Sequence, residues 1–105
     1  MGKHVGRKQR WTQKDARTYT SALGPVVYRQ DAWYARLAYQ VREPPVEEGG
    51  LPAWVGYDRW LGPYKRSRNA MVELEREVTV LRNRHGDDVR IGEEVETEPG
   101  PLSPG

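Results

Sequence analysis

The alternation of residues 33–42 constrains the fold more than any other stretch of the chain. Apolar side chains occupy every second position from Trp33 to Val41, and the positions between them, from Tyr34 to Arg42, are mostly polar. Successive side chains of a β-strand point to opposite faces of a sheet, so this segment predicts a strand with one face in the core. Such a half-buried strand is typical of an antiparallel sheet.

Two other strands and one helix complete the predicted domain. Residues 26–29 and 54–61 are rich in Val, Tyr and Trp and predict the first and third strands. Ser67 or Asn69 is expected to cap a following helix, and Gly86 to cap its end. Apolar residues recur there at helical spacing, at Ala70, Met71, Leu74, Val78 and Leu81. The predicted class is α+β, a three-stranded antiparallel sheet packed on one C-terminal helix.

The segments on either side of this unit give weaker patterns. Residues 12–23 begin with TQKD, which resembles a helix capping box, and predict a short N-terminal helix. Thr18 and Thr20 favour a strand instead, because β-branched residues prefer extended backbone. After the C-terminal helix, only Val89 and Ile91 could add a short edge strand.

Charge divides the chain into an arm, a body and a tail. We predict a flexible basic arm over residues 1–11, a single domain over residues 12–91 and a disordered acidic tail over residues 92–105. Six Lys or Arg and one Asp give residues 1–17 a net charge of +5, and six acidic residues and one Arg give residues 87–105 a net charge of -5. Such charge blocks are typical of interaction tails.

Several functional classes are disfavoured by composition. The chain has no Cys, and His4 and His85 are its only imidazoles, so thiolate zinc sites and a hydrolytic triad are not expected. No nucleophile, phosphate-cradling or metal-ligand motif is present. We expect a protein that is not an enzyme and needs no cofactor or metal, and that is a soluble, cytoplasmic monomer.

Three cations at the start of the predicted helix need an explanation. Lys65, Arg66 and Arg68 lie where the helix dipole is positive, and each disfavours the helix by roughly 0.3–1 kcal/mol when exposed. A bound phosphate would reverse that sign, because free backbone N–H groups and cations both attract it. The alternative is that these cations pair with the acidic loop at residues 43–48.

Three groups of residues together predict nucleic-acid binding, with DNA favoured over RNA. They are the arm, the polar face of the second strand, and the helix entrance with the adjacent aromatic. Each group also has an ordinary explanation: solubility, the polar half of an exposed strand, or surface ion pairs. The candidate contacts are Arg7, Lys8, Arg10, Tyr34, Arg36, Gln40, Arg42, Trp60, Lys65, Arg66 and Arg68.

Two short motifs resemble the AP2/integrase-type DNA-binding domain. They are WYARL at residues 33–37 and WLGPY at residues 60–64, followed by helix residues at the family's spacing. The resemblance covers about half of the chain and implies three strands and a helix, with the open sheet face reading the DNA major groove. It implies that Arg36 and Trp60 point at DNA and that the core contains Leu37, Leu61, Tyr64, Ala70 and Leu74.

Two alternatives remain open at this stage. If residues 12–23 form a helix, the order α-β-β-β-α resembles a double-stranded-RNA-binding fold, whose last helix also begins with cations; Gly62, Arg68 and Ala70 fit its motif. The alternative from another class is a protein-docking patch, made of the aromatic residues Tyr34, Trp54, Tyr57 and Trp60.

Deleting residues 1–10 tests the arm. We expect weaker binding to duplex DNA with the thermal unfolding transition preserved, because an arm outside the core contributes phosphate contacts and little buried surface. Fluorescence anisotropy at several salt concentrations measures the first effect and circular dichroism the second. Loss of the thermal transition would show that the arm is structural.

Overall fold

A computed structural model describes residues 9–95 as a six-stranded antiparallel sheet with one long helix. The elements in chain order are β1 (Thr12–Asp15), β2 (Thr18–Thr20), β3 (Val26–Arg29), β4 (Ala32–Glu43), β5 (Ala53–Tyr64), α1 (Ser67–His85) and β6 (Val89–Ile91). Strands β1 to β5 are neighbours in chain order, and β6 pairs with β4. Two 3-10 turns flank β6, at Gly86–Asp88 and Gly92–Glu94.

The predicted α+β class with a C-terminal helix is confirmed, but a sheet of three strands is too small. The prediction of an N-terminal helix over residues 12–23 is wrong, because β1 and β2 form a hairpin there. The Asp15 side chain does not cap a helix; its Oδ1 accepts the backbone N–H of Arg17 at 2.8 Å in the hairpin turn. Thr18 and Thr20 follow their strand preference, and β2 pairs with β3.

Strand β4 organises the sheet because it pairs with three other strands. Its first half pairs with β3, its second half with β6, and nearly its whole length with β5. Both long strands run beyond their predicted ends, to Glu43 in β4 and to Tyr64 in β5. The extra length of β5 follows from its partner, since Tyr64 lies opposite Trp33 at the start of the alternating segment.

The core lies between α1 and the sheet. The predicted helical stripe is confirmed at Ala70, Leu74, Val78 and Leu81, while Met71 is only partly buried. Burying a leucine side chain contributes about 1.5–3 kcal/mol, so the stripe supplies much of the attachment between helix and sheet. The sheet contributes Val26, Ala35, Leu37, Val41, Leu61, Val89 and Ile91 to the same core.

The two ends of α1 differ in how they are capped. Arg66 is the N-cap in extended conformation, and its side chain makes no capping hydrogen bond. The expectation that Ser67 or Asn69 caps the helix is therefore wrong, because Ser67 is already its first residue. At the other end Gly86 is the C-cap, as predicted, and its N–H donates to the carbonyl of Arg82.

The predicted edge strand after the helix is confirmed and continues into a second turn. Val89 and Ile91 are buried in the core. Residues 92–94, assigned to the tail from sequence, form a 3-10 turn in which the N–H of Glu93 donates to the carbonyl of Ala22 at 2.8 Å. Gly92 lies directly against the backbone of Ala22, since a Cβ at position 92 would be 2.1 Å from the Ala22 carbonyl oxygen.

Gly92→Ala and Gly86→Ala form a matched pair. Both glycines have φ near +60°, at 60° and 59°, but a Cβ at Gly86 would meet nothing within 4 Å. Backbone strain should destabilise either variant by about 1–3 kcal/mol. Gly92→Ala should lose about 1–3 kcal/mol more, because the methyl group displaces backbone. Urea unfolding measures the difference, and equal midpoints would contradict the contact with Ala22.

Candidate functional site

The side of the sheet that faces away from α1 is called the open face below. Strand register assigns its members, since directly opposed residues share a face. Arg36 lies opposite Trp60, Gln40 opposite Arg90 and also opposite Gly56. The larger side chains of the open face are Arg29, Tyr34, Arg36, Gln40, Arg42, Trp54, Asp58, Trp60 and Arg90.

Four guanidinium groups give the open face its positive charge. Within residues 9–95, Asp58 on the face pairs with Arg36 and Asp88 at its rim pairs with Arg42. Arg36 donates from Nε to Oδ1 of Asp58 at 3.0 Å and from Nη2 to Oδ2 at 2.5 Å. Arg42 donates to Oδ1 of Asp88 from Nη2 at 2.6 Å and from Nε at 3.0 Å.

These ion pairs orient the arginines more than they stabilise the fold. All four side chains are roughly half exposed, and exposed pairs contribute about 0–1 kcal/mol. The hydrogen bond from Arg36 holds the pKa of Asp58 below its usual value, and the same contact raises the pKa of Arg36. Both groups are therefore charged at neutral pH.

Guanidinium groups also lie against the two indole rings of the open face. The Cζ atom of Arg90 is 3.7 Å from the Trp54 ring centroid, and that of Arg42 is 5.8 Å from it. The Cζ atom of Arg29 lies 5.1 Å from the Trp60 centroid. Cation–π contacts of this kind contribute about 0.5–1 kcal/mol each at exposed sites. The face thus presents planar, positively charged groups beside aromatic rings.

A shallow cavity marks one end of the open face. It has a volume of about 190 Å³ and is lined by Arg29, Gln30, Tyr34 and Trp60. Tyr34 lies across Gly62, where an added Cβ would meet the ring at 2.8 Å. This end of the sheet is also where β5 finishes and the chain turns toward α1.

The structure brings together five of the predicted contact residues. Tyr34, Arg36, Gln40, Arg42 and Trp60 all lie on the open face. Arg10 is exposed in the segment before β1. Arg7 and Lys8 lie outside the residues that the structure describes.

The predicted nucleic-acid contacts omit three members of the open face, of which Trp54 was assigned only to the alternative docking patch. Arg29, Trp54 and Arg90 each lie one position from residues on the inner face, so the two-residue period of their strands was the available signal. Arg90 also requires β6 to pair with β4, and its side chain donates to Oε1 of Gln40 at 3.5 Å. A three-residue strand gives too short a pattern to assign a face without its partner.

Tyr57 does not belong to the predicted aromatic patch. It lies opposite Tyr39 on the helix side of the sheet, and the two rings stack with centroids 5.1 Å apart. The charge of nearby Glu43 raises the pKa of the Tyr57 hydroxyl. The proposed docking patch therefore splits between two faces.

The helix entrance is exposed and has no acidic partner within residues 9–95. Lys65, Arg66 and Arg68 are exposed and make no ion pair in that range, and the first turn of α1 contains no acidic residue. The alternative that they pair with residues 43–48 is wrong. That loop follows the far end of β4, and the 12 residues of β5 separate it from the helix entrance by about 35 Å.

Trp11 is anchored to the domain although the sequence assigned it to the arm. Its Nε1 donates to Oε2 of Glu75 at 2.8 Å, and its ring packs on the core. It lines a groove of about 470 Å³ beside the first half of α1, with Tyr19, Met71 and Arg68. The groove lies on the helix side of the sheet and is separate from the open face.

Comparison of the chain with protein-family models, with curated proteins and with solved structures found no match. The AP2-type resemblance therefore stays a prediction. Its predicted core residues Leu37, Leu61, Ala70 and Leu74 are buried, and Tyr64 is partly buried. In residues 9–95, no helix is long and apolar enough to cross a bilayer and no cluster of three His, Asp or Glu could hold a metal ion.

Arg36→Gln tests the coupling between Arg36 and Asp58. The lowered pKa of Asp58 means that the pair stabilises the fold above the pKa of the unfolded chain and that this stability is lost as pH falls through the folded pKa. We expect the Asp58 pKa to rise toward its usual value in the variant, measured by NMR titration. Arg36→Lys is the control, because it keeps the charge and loses the paired hydrogen bonds. An unchanged pKa in Arg36→Gln would contradict the contact.

Proposed function

We propose that this protein binds nucleic acid, with duplex DNA as the favoured ligand, through the open face and the helix entrance. One observation carries the proposal: four arginines, two of them held by carboxylates, share a solvent-exposed sheet face with two tryptophans. A face of this kind offers charge to phosphate and directed donors to base edges.

Paired arginines suit this role because their orientation is set before binding. Asp58 occupies Nε and one N–H of Nη2 in Arg36, and a guanidinium has five N–H donors. The remaining donors point away from the carboxylate and are available to a ligand. The DNA major groove admits a two-stranded β-ribbon, and β5 with β4 forms the edge of the wider sheet.

The helix entrance supplies the expected phosphate contact. Its cations oppose the helix dipole, no carboxylate within residues 9–95 neutralises them, and the N-terminal N–H groups of α1 receive no side-chain cap. A phosphate would satisfy these donors and cations together. The entrance follows directly from the end of β5 that carries Trp60, so one duplex could meet both regions.

The two alternatives lose part of their basis. The RNA-binding fold required a helix over residues 12–23, and that segment is a β-hairpin. The protein-docking patch retains Trp60, which is 46% exposed, but Tyr57 lies on the other face and arginines lie over both open-face indoles. Neither alternative explains the four cations as directly as a polyanion does.

Replacing Lys65, Arg66 and Arg68 together with Gln tests the entrance. We expect weaker binding to duplex DNA with the urea midpoint unchanged or slightly raised, because cations at this end of α1 are unfavourable. The slope of log affinity against log salt should shrink by about 0.9 for each lost phosphate contact. The charge control replaces Arg76, Arg82 and Arg84 with Gln, which removes equal charge from elsewhere on α1. It also removes the Arg76–Glu73 and Arg82–Glu94 pairs and two cations from the negative end of the helix dipole, so its urea midpoint should fall slightly, and binding is compared where both variants are folded.

The comparison with the control decides between specific contacts and net charge. Equal losses of DNA affinity in both triple variants would show that the helix entrance contributes only through its net charge. Duplex DNA, duplex RNA and single strands should be titrated in parallel, and preference for duplex RNA would overturn the choice of ligand. Absence of any salt-dependent binding would remove the proposal and leave protein docking. Arg36→Ala should alter base preference more than the triple variant does, because base contacts specify sequence.

A further inference from the structure

Within residues 9–95, strand β5 has one hydrogen-bonded neighbour along its 12 residues. It pairs with β4 on one side and forms the end of the strand order on the other. A long unpaired edge offers a row of backbone N–H and C=O groups to another strand. Natural edges are usually blunted by charged side chains, Pro or bulges. In β5 the one proline, Pro63, and the register shift both lie near the end of the strand, and Asp58 and Arg59 are paired with side chains of the same chain. Residues 53–61 therefore keep a regular edge.

Exposed apolar side chains concentrate on the same strand. Of the seven large hydrophobic side chains that are exposed within residues 9–95, three belong to β5: Val55, Tyr57 and Trp60. They lie on both faces of the strand, so a neighbouring strand would cover part of each. Val55 and Tyr57 lie on the helix side and Trp60 on the open face.

We propose that the outer edge of β5 pairs antiparallel with the same edge of a second copy of the chain, with the twofold axis at Tyr57. This register places Tyr57 opposite itself. Gly56 then faces Asp58 of the other copy, and Trp54 faces Trp60. A twofold interface of this kind is self-complementary, as closed dimers require. The inference does not depend on nucleic-acid binding.

Charge excludes two of the possible registers. Directly opposed residues in an antiparallel pair share a face, so an axis through a residue must oppose that residue to itself. An axis at Asp58 opposes two carboxylates, and an axis at Arg59 opposes two guanidiniums. Like charges directly opposite are destabilising.

The length of the pairing separates the remaining registers. An axis at Gly56 pairs no like charges but extends only over residues 53–59 of β5, and an axis at Trp60 would include Pro63, which has no N–H to donate. The axis at Tyr57 pairs no like charges and extends over residues 53–61.

A dimer formed in this way would join two open faces side by side. The sheets of the two copies would become one, with Trp54 and Trp60 of each copy close to the axis. The monomer expected from the sequence is the competing outcome.

Single cysteines test the register, because the native chain contains no cysteine. Tyr57→Cys should form a disulfide-linked dimer under mild oxidation, since opposed residues in antiparallel strands have Cα atoms about 4.5–5.5 Å apart. Gly56→Cys and Asp58→Cys should each form no disulfide-linked dimer when oxidised alone, because identical positions would then lie beyond the roughly 7 Å limit for a disulfide. The mixture of the two should cross-link, because residue 56 faces residue 58. A Cβ at Gly56 meets nothing within 4 Å, so that variant should fold.

Sedimentation equilibrium measures dimer formation without cross-links. The native chain of 12.1 kDa should show a concentration-dependent mass that approaches the dimer. Tyr57→Asp should raise the dissociation constant at least about tenfold, because two carboxylates meet at the axis. Val72→Cys and Val72→Asp on α1 are the controls for exposure and charge, since Val72 is exposed and lies away from β5.

Different results would contradict the dimer itself or only its register. A monomeric mass up to the solubility limit overturns the proposal, and so does a dimer that cross-links equally through Val72→Cys. A dimer that cross-links through Asp58→Cys alone overturns the register at Tyr57. Far-UV circular dichroism of each variant confirms that the fold is retained, and the mixed Gly56 and Asp58 pair decides the matter if Tyr57→Cys unfolds.

Discussion

The structure depends on burying the apolar stripe of α1 against the inner face of β4. Leu37 and Leu74 are fully buried in this layer, and β4 carries the pairing of three other strands. A shift of one residue in β4 would move Leu37 into solvent and Arg36 into the core, so the register is strongly specified. The arginines reach the open face because the leucines are needed on the other one. The core and the proposed binding surface thus lie on opposite sides of one strand.

The open face places four guanidinium groups within one small sheet, where their mutual repulsion works against folding. Asp58 and Asp88 offset part of this repulsion, and the indoles of Trp54 and Trp60 provide further favourable surfaces for the cations. None of these contacts is worth more than about 1 kcal/mol at an exposed site. The core on the other side of the sheet supplies the stability that makes the remaining repulsion tolerable, and the proposed polyanion ligand would reduce that repulsion further.

Predictions from the sequence succeeded where apolar residues recur at the regular spacing of a strand or a helix. The alternation of β4 and the 3–4 residue spacing of α1 located the buried face of β4, the buried stripe of α1 and four of the residues predicted to contact nucleic acid. The predictions failed where a partner decides the outcome: TQKD is equally compatible with a helix cap and with the hairpin turn in which Asp15 binds the Arg17 amide. The alternative that the entrance cations pair with the acidic loop is wrong for a related reason. The loop and the entrance are close in sequence, but the extended strand β5 lies between them and keeps them far apart in space.

By itself, the sequence determined which residues of β4 avoid water, the length of α1 and the separation of charge between the two ends of the chain, because these follow from local hydrophobicity and charge. The tertiary structure decided that β1 and β2 extend the sheet, that Tyr57 faces the helix side, and that Arg90 joins Gln40 and Trp54 on the open face. The physical reason is that a strand's neighbours and the face of a short strand are set by backbone hydrogen bonds to distant segments. Such bonds leave no periodic trace in the strand itself.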